Sequence, residues 1–320
     1  MAFSNTDTNM TSSSGLTKGM QTFYNRELLR NFEPRLVHIQ FGDEHRMPPN
    51  SGKVMNFRKL TPLETNTTEL SEGNPGDGVM FAETDVTVQL KQYGEYARTT
   101  DLLDMTHMDL TILRKTELFG DAGARSLDAL VREELAACTN VIYAGGKTAR
   151  TALTATDKLT SKELRMAVRT LKKNHAQTFD GYYIAIVGPD TTYDLQDDEA
   201  FVKVSQYQDK ENIYKGEVGR LFGVRLVETT EAKIFADGGA TIGSGPDKAD
   251  VASVVVLGRY AYGYTSIRGA NPRIIVKPAG SAGTADPLDQ VSTIGWKLDA
   301  FGVKLLQPEF AVRIECGFSA

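Results

Sequence analysis

The feature that most constrains the fold of this chain is an extended hairpin with little to cover it. Apolar and polar residues alternate within Thr84–Arg98, the period-two pattern of a half-buried strand, and the apolar positions are Val86, Val88 and Leu90. A shorter strand-like run covers Lys53–Leu60, and the intervening Thr61–Glu83 is rich in Pro, Gly, Asn and Thr. Such a long loop is uncommon inside a compact domain, and an isolated hairpin is marginal in water. We therefore expect a projecting hairpin with no obvious partner in its own chain.

Composition narrows the class of protein. The chain has 320 residues, with 36 basic and 41 acidic side chains and a net charge of −5. This length gives about two average domains and an adequate core, and the acidic balance argues against a general nucleic-acid binder. Two cysteines, Cys138 and Cys316, exclude a disulfide framework or a multi-cysteine zinc module. The longest apolar runs are far shorter than a membrane span, and Met1–Gly15 lacks the apolar core of a secretion signal. We expect a soluble protein assembled in a reducing compartment.

Helical patterns dominate the first half of the chain. Residues 1–15 read as a flexible polar arm, and Leu36–Ile39 reads as a short extended piece. Two of the predicted helices lie in the centre of the chain, and Gly120 and Gly123 separate the first of them from the second. The second ends at Gly145-Gly146. The predicted helices are Leu16–Leu29 (ended by Pro34), Leu102–Leu113 (capped by Asp101), Leu127–Ile142, and a third central helix that begins with the capping box Thr160–Glu163.

Strand patterns dominate the second half. The candidate strands are Tyr182–Val187, Val224–Val227, Val251–Leu257, and two alternating runs that start at Ile294 and Phe310. Between the first two lies a short acidic helix or loop, and Gly-rich stretches separate the others. The sequence therefore predicts a mixed α+β fold.

Motifs that could carry chemistry are weak. Gly145–Thr148 resembles a phosphate-binding loop, but position 141 is valine where glycine is required, and the stretch follows a predicted helix. The four histidines form no metal motif, and the pair Asp104 and His107 lacks a third ligand. Asp237, Asp247 and Asp250 do not match a calcium loop, and Gly243-Ser244-Gly245 is not a nucleophile elbow. Both cysteines occupy apolar positions typical of small buried side chains. We predict no catalytic residue, metal or cofactor.

Local charge offers two interpretations. Residues 26–60 carry seven Lys/Arg and four Asp/Glu, whereas residues 190–211 carry seven acids and two lysines. These stretches are either solvated faces or complementary patches on neighbouring copies of the chain, which would guide register more than affinity.

Several stretches together resemble the major capsid proteins of tailed bacteriophages, in particular the N-four-type family. The match runs from Leu16 over nearly all of the chain, and its more specific parts lie in Gly219–Val224 and Gly295–Lys297. The stretches that carry it are Phe23-Tyr24, Gln40–Gly42, Val86–Val88, Gln92–Gly94, Asn140–Gly146, Gly216–Val224, Asp286–Gln290, Gly295–Lys297 and Ile314-Glu315.

The resemblance implies a Hong Kong 97-like capsid fold. The expected division is an N-terminal arm (1–45), an extended hairpin called the E-loop (46–100), a peripheral domain with a long spine helix (101–178), an axial domain (179–284), and C-terminal strands that return to the peripheral domain (285–320). Gly120 and Gly123 put a single unbroken spine helix in doubt. Some members of this fold form a Lys–Asn cross-link beside a glutamate; Lys53 and Lys59 lie on the hairpin, where exposed lysine is also the ordinary edge-strand charge.

The resemblance further implies a non-enzymatic subunit of the virion. We expect pentamers and hexamers that enclose double-stranded DNA without binding it specifically, no membrane contact, assembly in the host cytoplasm, and separate scaffold, portal and decoration proteins as further partners. The hairpin is expected to contact an adjacent subunit through Phe57, Arg58, Val86, Val88 and Leu90. The alternatives are another virion component, either a minor capsid or a decoration protein, and a nucleotide-hydrolysing enzyme built on Gly146-Lys147-Thr148.

Overall fold

The computed structural model describes residues 37–61, 63, 65–67, 69, 78–102, 111–198, 217–242, 247–267, 272–281 and 286–319. These residues form a mixed α+β fold with three sheets. The helices are α1 (Thr111–Ala136), α2 (Ser161–Lys173) and α3 (Pro189–Gln196). The strands are β1 (Asp43–Arg46), β2 (Val54–Leu60), β3 (Glu83–Gln89), β4 (Lys91–Thr100), β5 (Val141–Tyr143), β6 (Tyr183–Val187), β7 (Glu217–Leu221), β8 (Val224–Glu228), β9 (Ile234–Phe235), β10 (Val251–Leu257), β11 (Tyr262–Ser266), β12 (Arg273–Lys277), β13 (Val291–Leu305) and β14 (Ala311–Cys316).

A seven-stranded sheet forms one half of the fold. Its order is β5-β14-β10-β6-β8-β7, with β9 also paired to β10. Every residue of β6, β10 and β14 is buried, because both faces of these central strands are covered. Helix α2 packs Leu164, Ala167 and Leu171 into the core on one face. Its capping box, in which the side chains of Thr160 and Glu163 each accept from the other residue's backbone N–H, fixes where the helix begins.

A five-stranded sheet forms the other half. Its order is β1-β11-β13-β12, with β4 also paired to β13. The 15-residue strand β13 pairs with β12 along Thr293–Lys297 and with β11 along Phe301–Leu305. Its ladder with β4 runs from Val291 to Phe301 and shifts register after Leu298. Strand β13 therefore joins the other members of the sheet into one unit.

Helix α1 lies in the core that connects the two sheets. Its residues Leu127, Val131 and Leu135 are fully buried with Trp296 of the five-stranded sheet and Ile184 of the seven-stranded sheet. Gly120 and Gly123 do not interrupt the helix, so the predicted break there is wrong: both glycines are buried, and packing outweighs their helix-breaking tendency of about 1 kcal/mol each.

The predicted continuation of this helix to Ile142 is also wrong. Helix α1 ends at Ala136, and Val141–Tyr143 form an edge strand parallel to β14. Asn140 stops the helix because its side-chain amide donates to the Pro308 carbonyl at 2.9 Å, while its own carbonyl accepts from the Arg313 N–H at 2.8 Å. The β-branched residues Val141 and Ile142 then extend the sheet.

A buried pair fixes the chain just before β1. His38 and Asp128 are 2% and 1% exposed, and the His38 Nδ1 atom lies 2.5 Å from an Asp128 carboxylate oxygen. The backbone N–H of His38 donates to the other oxygen at 2.8 Å, and the Tyr262 hydroxyl donates to the His38 carbonyl. Burial, and then the charge of Asp128, raise the pKa of Tyr262 well above its usual value. The backbone here forms a 3-10 turn, His38–Phe41, where the sequence predicted an extended Leu36–Ile39.

Other strand and helix predictions divide clearly. Strands β2, β6, β8 and β10, the two C-terminal alternations, and the helix after the capping box are confirmed. The acidic stretch after Gly188 forms a helix, α3. The single strand predicted for Thr84–Arg98 is two strands that meet at Leu90 and pair with different partners. Strand β1 was not predicted. The polar arm 1–15, the helix Leu16–Leu29, residues 103–110 and most of the acidic stretch 190–211 lie outside the described residues.

The predicted domain boundaries stay a prediction. Strands β11 and β12 fall within 179–284, yet they join the sheet of β4 and β13. Strand β14 falls within 285–320, yet it lies between β5 and β10 of the other sheet. No helix in the described part of the chain is both long and apolar enough to cross a membrane.

Candidate subunit interface

The hairpin is a separate two-stranded sheet whose inner face rests on its own chain. Strands β2 and β3 pair antiparallel, with Met55 opposite Val88 and Phe57 opposite Val86. Every second residue of β2 is partly buried. The Phe57 ring stands edge-on to the ring of His45 in β1, with centroids 4.8 Å apart.

Polar contacts also join the hairpin to the body. The Thr265 hydroxyl of β11 donates to the Met55 sulfur at 3.2 Å, and Lys59 forms an ion pair with Glu309 at 2.8 Å. The expectation that the hairpin has no partner in its own chain is therefore wrong for these strands. Their cover comes from β1, β11 and the Pro308–Phe310 turn, which are distant in sequence.

Of the five predicted contact residues, two apolar ones, Val88 and Leu90, are covered by their own chain. Val88 is 2% exposed and Leu90 is 8% exposed, so neither offers much surface to a second copy. Phe57 and Val86 are half-buried on the same inner face. Arg58 points outward and lies 3.9 Å from Glu83. A role for Phe57, Arg58 and Val86 in subunit contact stays a prediction.

The exposed apolar surface lies farther along the hairpin. We call Leu60, Leu63 and Val79–Phe81 the outer hairpin; the exposed fractions of its side chains are 62% for Leu60, 51% for Leu63, 64% for Val79, 90% for Met80 and 72% for Phe81. Sequence reasoning missed this segment because it treated Thr61–Glu83 as a loop with few apolar anchors. The signal was present in three consecutive large apolar residues that follow a Gly-rich run. Clustered exposed apolar side chains of this kind mark interaction sites.

A groove of about 700 Å³ lies on the five-stranded sheet, lined by β4, β12 and β13. Tyr93, Ile275 and Trp296 contribute its apolar surface, and burial raises the pKa of Tyr93. The Trp296 indole N–H is buried, and no acceptor for it occurs among the described residues. At the rim, Tyr96 is 61% exposed and the Arg98 guanidinium lies 5.7 Å from its ring centroid. The groove thus combines apolar walls with a polar rim at Tyr96 and Arg98, which is the character of a binding surface.

Close backbone contact shapes this groove. A Cβ atom on Gly295 would lie 2.5 Å from the Glu95 carbonyl oxygen, and one on Gly94 would lie 2.7 Å from the Trp296 carbonyl oxygen. Only glycine at both positions lets β4 and β13 approach this closely.

The described residues contain no assembled chemical centre. No group of three potential metal ligands occurs among them. Burial raises the pKa of Cys138, and burial raises the pKa of Cys316 to about 12, so neither thiol is an activated nucleophile. Gly145–Thr148 follows strand β5 and not a helix, which corrects one of the two objections to a phosphate loop. The valine at 141 remains, and Lys147 leads to a 3-10 turn, Arg150–Ala152, instead of the helix that a phosphate loop requires.

Comparison with known proteins gives one family and a consistent set of folds. A family model described as phage capsid protein matches residues 83–314. No curated protein gives a significant sequence match.

Several similar solved structures come from phages. The capsid of Ralstonia phage GP4 has a TM-score of 0.67 at 13% identity, with 89% of this chain and 92% of that chain covered. The capsid asymmetric unit of cyanophage Pam1 has a TM-score of 0.64 at 15% identity, with 91% and 92% covered. A Mycobacterium phage Che8 structure has a TM-score of 0.61 at 14% identity, with 88% and 91% covered. These likenesses confirm the predicted Hong Kong 97-like fold.

Proposed function

The chain belongs to the phage capsid protein family, and from that premise we propose that its copies join as pentamers and hexamers into a closed shell around double-stranded DNA. The protein is a structural major capsid protein of the virion, as the sequence predicted. We further propose that it acts without enzymatic activity, that the shell assembles in the host cytoplasm, and that separate scaffold, portal and decoration proteins take part.

The observation that carries this proposal is the outer hairpin. A monomer that left Val79, Met80 and Phe81 in water would forgo about 1.5–3 kcal/mol for each large side chain it could bury. A second copy supplies that cover. The groove between β4, β12 and β13 suits it, because its lining is largely apolar. Contacts of this size suffice in a closed shell, where many form together and raise one another's effective concentration.

The proposal is tested by making the outer hairpin polar. The double variant Met80→Ser, Phe81→Ser removes two apolar side chains that are 90% and 72% exposed, so the fold should persist. Shell formation should fall sharply, as measured by electron microscopy and sedimentation, while the circular dichroism spectrum stays unchanged.

A matched control makes the same change elsewhere. Tyr193 and Ile242 are 63% and 57% exposed and lie outside the hairpin. The variant Tyr193→Ser, Ile242→Ser should form shells like the unchanged protein. Normal shells from the Met80 and Phe81 variant would show that the outer hairpin is not a subunit contact.

A further inference from the structure

Helix α2 presents to solvent a face that carries only positive charge. Its one acidic residue, Glu163, is 4% exposed and serves the capping box on the opposite side. The exposed charged residues of the helix are Lys162, Arg165, Arg169, Lys172 and Lys173. None of these five forms an ion pair with any residue that the structure describes.

This arrangement is unusual within an acidic chain of net charge −5. Elsewhere, exposed cations commonly meet a carboxylate: Lys233 lies 2.7 Å from Glu133, and Lys304 lies 2.9 Å from Glu134. On α2, like charges occur three and four residues apart, a spacing that destabilises a helix by about 0.2–0.5 kcal/mol per pair. An anionic partner would relieve this repulsion.

The basic face borders a shallow groove of about 550 Å³ that ends at an aromatic side chain. Phe222 lies in the turn between β7 and β8, has a φ of 50° and is 39% exposed. The Arg165 guanidinium lies 5.2 Å from the centroid of the Phe222 ring. This cation–π contact holds one end of the row of cations in place.

The form of the row favours duplex DNA over an acidic peptide. From Lys162 to Lys173 the helix rises about 16 Å, and a duplex carries one charge per about 1.7 Å of its axis, so a row of this length faces several phosphates. The acidic stretch 190–211 of a second copy suits the row less well, because Asp194 is already paired with Lys158 at 2.9 Å and Asp198 accepts from the Ser161 N–H at 2.8 Å.

We propose that the exposed face of α2 binds the phosphate backbone of duplex DNA without sequence preference. The inference rests on the proposed function, since the shell is what brings DNA to this face. The contacts are purely electrostatic, because the side chains along the face are point charges or guanidinium groups that suit phosphate oxygens.

The test is the salt dependence of DNA binding by the full-length unassembled chain. A short labelled duplex of arbitrary sequence is titrated at several salt concentrations and followed by fluorescence anisotropy. The variant Arg165→Gln, Arg169→Gln, Lys172→Gln keeps helix propensity and removes three charges. Each lost phosphate contact reduces the magnitude of the slope of log K against log salt by about 0.9. Between about 50 and about 200 mM salt, the factor by which the triple variant loses affinity should therefore be about forty-fold smaller than the factor for the unchanged chain.

A control with the same loss of charge separates a local site from net charge. Lys53, Lys91 and Lys277 are exposed. They lie beside the hairpin strand β2 and on β4 and β12 of the five-stranded sheet, whereas α2 packs on the seven-stranded sheet; replacing all three by glutamine should leave the slope unchanged. Equal slopes for the two triple variants, or an α2 variant that binds as the unchanged chain does, would overturn the proposal.

Electron microscopy of the same proteins distinguishes the remaining cases. An α2 variant that binds DNA normally but no longer forms shells would assign this face to a second copy and overturn the proposal. Conversely, DNA binding that depends on α2 in a chain that never forms shells would support the α2 site while refuting the proposed function.

Discussion

A buried carboxylate in the seven-stranded sheet gives the sharpest stability prediction. Glu315 lies on β14 with its side chain fully buried, and it accepts hydrogen bonds from the Arg150 Nε and Nη2 atoms at 2.8 and 2.6 Å. These bonds raise the pKa of Arg150. The Arg313 Nε atom lies 2.9 Å from the same carboxylate, and the Arg150 guanidinium also stacks 3.6 Å from the centroid of the Phe235 ring. Two cations therefore share one buried counter-charge.

The substitution Glu315→Gln keeps the shape of this side chain and removes its charge. Loss of one partner from a buried ion pair costs about 3–5 kcal/mol. The lower end applies, because the Arg150 side chain is 32% exposed and water can partly solvate it. With an unfolding entropy of about 2.1 cal/mol/K per residue, a loss of about 3 kcal/mol over the whole chain lowers the melting temperature by about 4–5 °C.

The measurement is thermal unfolding of the unassembled protein, followed by calorimetry. Glu134→Gln is the matched control, since Glu134 forms an ion pair with Lys304 in which both side chains are partly exposed; its loss should cost at most about 1 kcal/mol. If Glu315→Gln lowers the melting temperature no more than Glu134→Gln does, the buried charge does not stabilise the sheet in the way described.

Two further predictions concern the C-terminal segment and the sheet that lines the groove. Burial would raise the pKa of Asp194, but hydrogen bonds from Ser319 and Lys158 outweigh it and lower that pKa. Asp194 therefore stabilises the fold above the unfolded aspartate pKa of about 3.9, and this contribution is lost as pH falls through the lower folded pKa. In denaturant titrations, Asp194→Asn should be less stable than the unchanged protein at neutral pH, and the difference in stability should shrink below about pH 4. A difference that does not change with pH would contradict this role of the aspartate. Gly295→Ala places a methyl group 2.5 Å from a backbone oxygen, whereas a Cβ on Gly78 meets nothing within 4 Å. Gly295→Ala should therefore lower the melting temperature by several degrees, and Gly78→Ala should not. Equal effects of the two substitutions would contradict the close approach of β4 and β13.

Local patterns in the sequence predicted the elements that local chemistry determines. Strand β10 was predicted because its run is apolar except for Ser253, and α2 was predicted from the capping box at Thr160. The family resemblance added the Hong Kong 97-like fold, whereas the hairpin was predicted from its own alternating residues. The patterns that predict single strands and helices are short-range, and the family resemblance is carried by whole stretches of sequence.

Errors arose where distant residues decide the outcome. Glu315 alternates with apolar neighbours and therefore reads as a solvent-facing position, yet it is buried because β14 is central and both of its faces are covered. Its partner Arg150 lies 165 positions away and carries no motif. Val88 likewise read as a contact for another subunit, because nothing local indicates that Gly302 of β13 approaches it. The exposure of Phe81 could have been predicted from the sequence, because a large apolar residue within a polar loop is itself a signal of an exposed apolar side chain.

The direct junction of β3 and β4 determines how the fold responds to a pull on the hairpin. Only Leu90 separates the two strands, so a pull on the hairpin passes into β4 along its own axis. Strand β4 runs antiparallel to β13, and its hydrogen bonds stand perpendicular to the direction of such a pull. They are then loaded in shear and must break together, whereas a force across the strands would open them one by one. The geometry therefore resists a pull on the hairpin better than a force across β4 and β13.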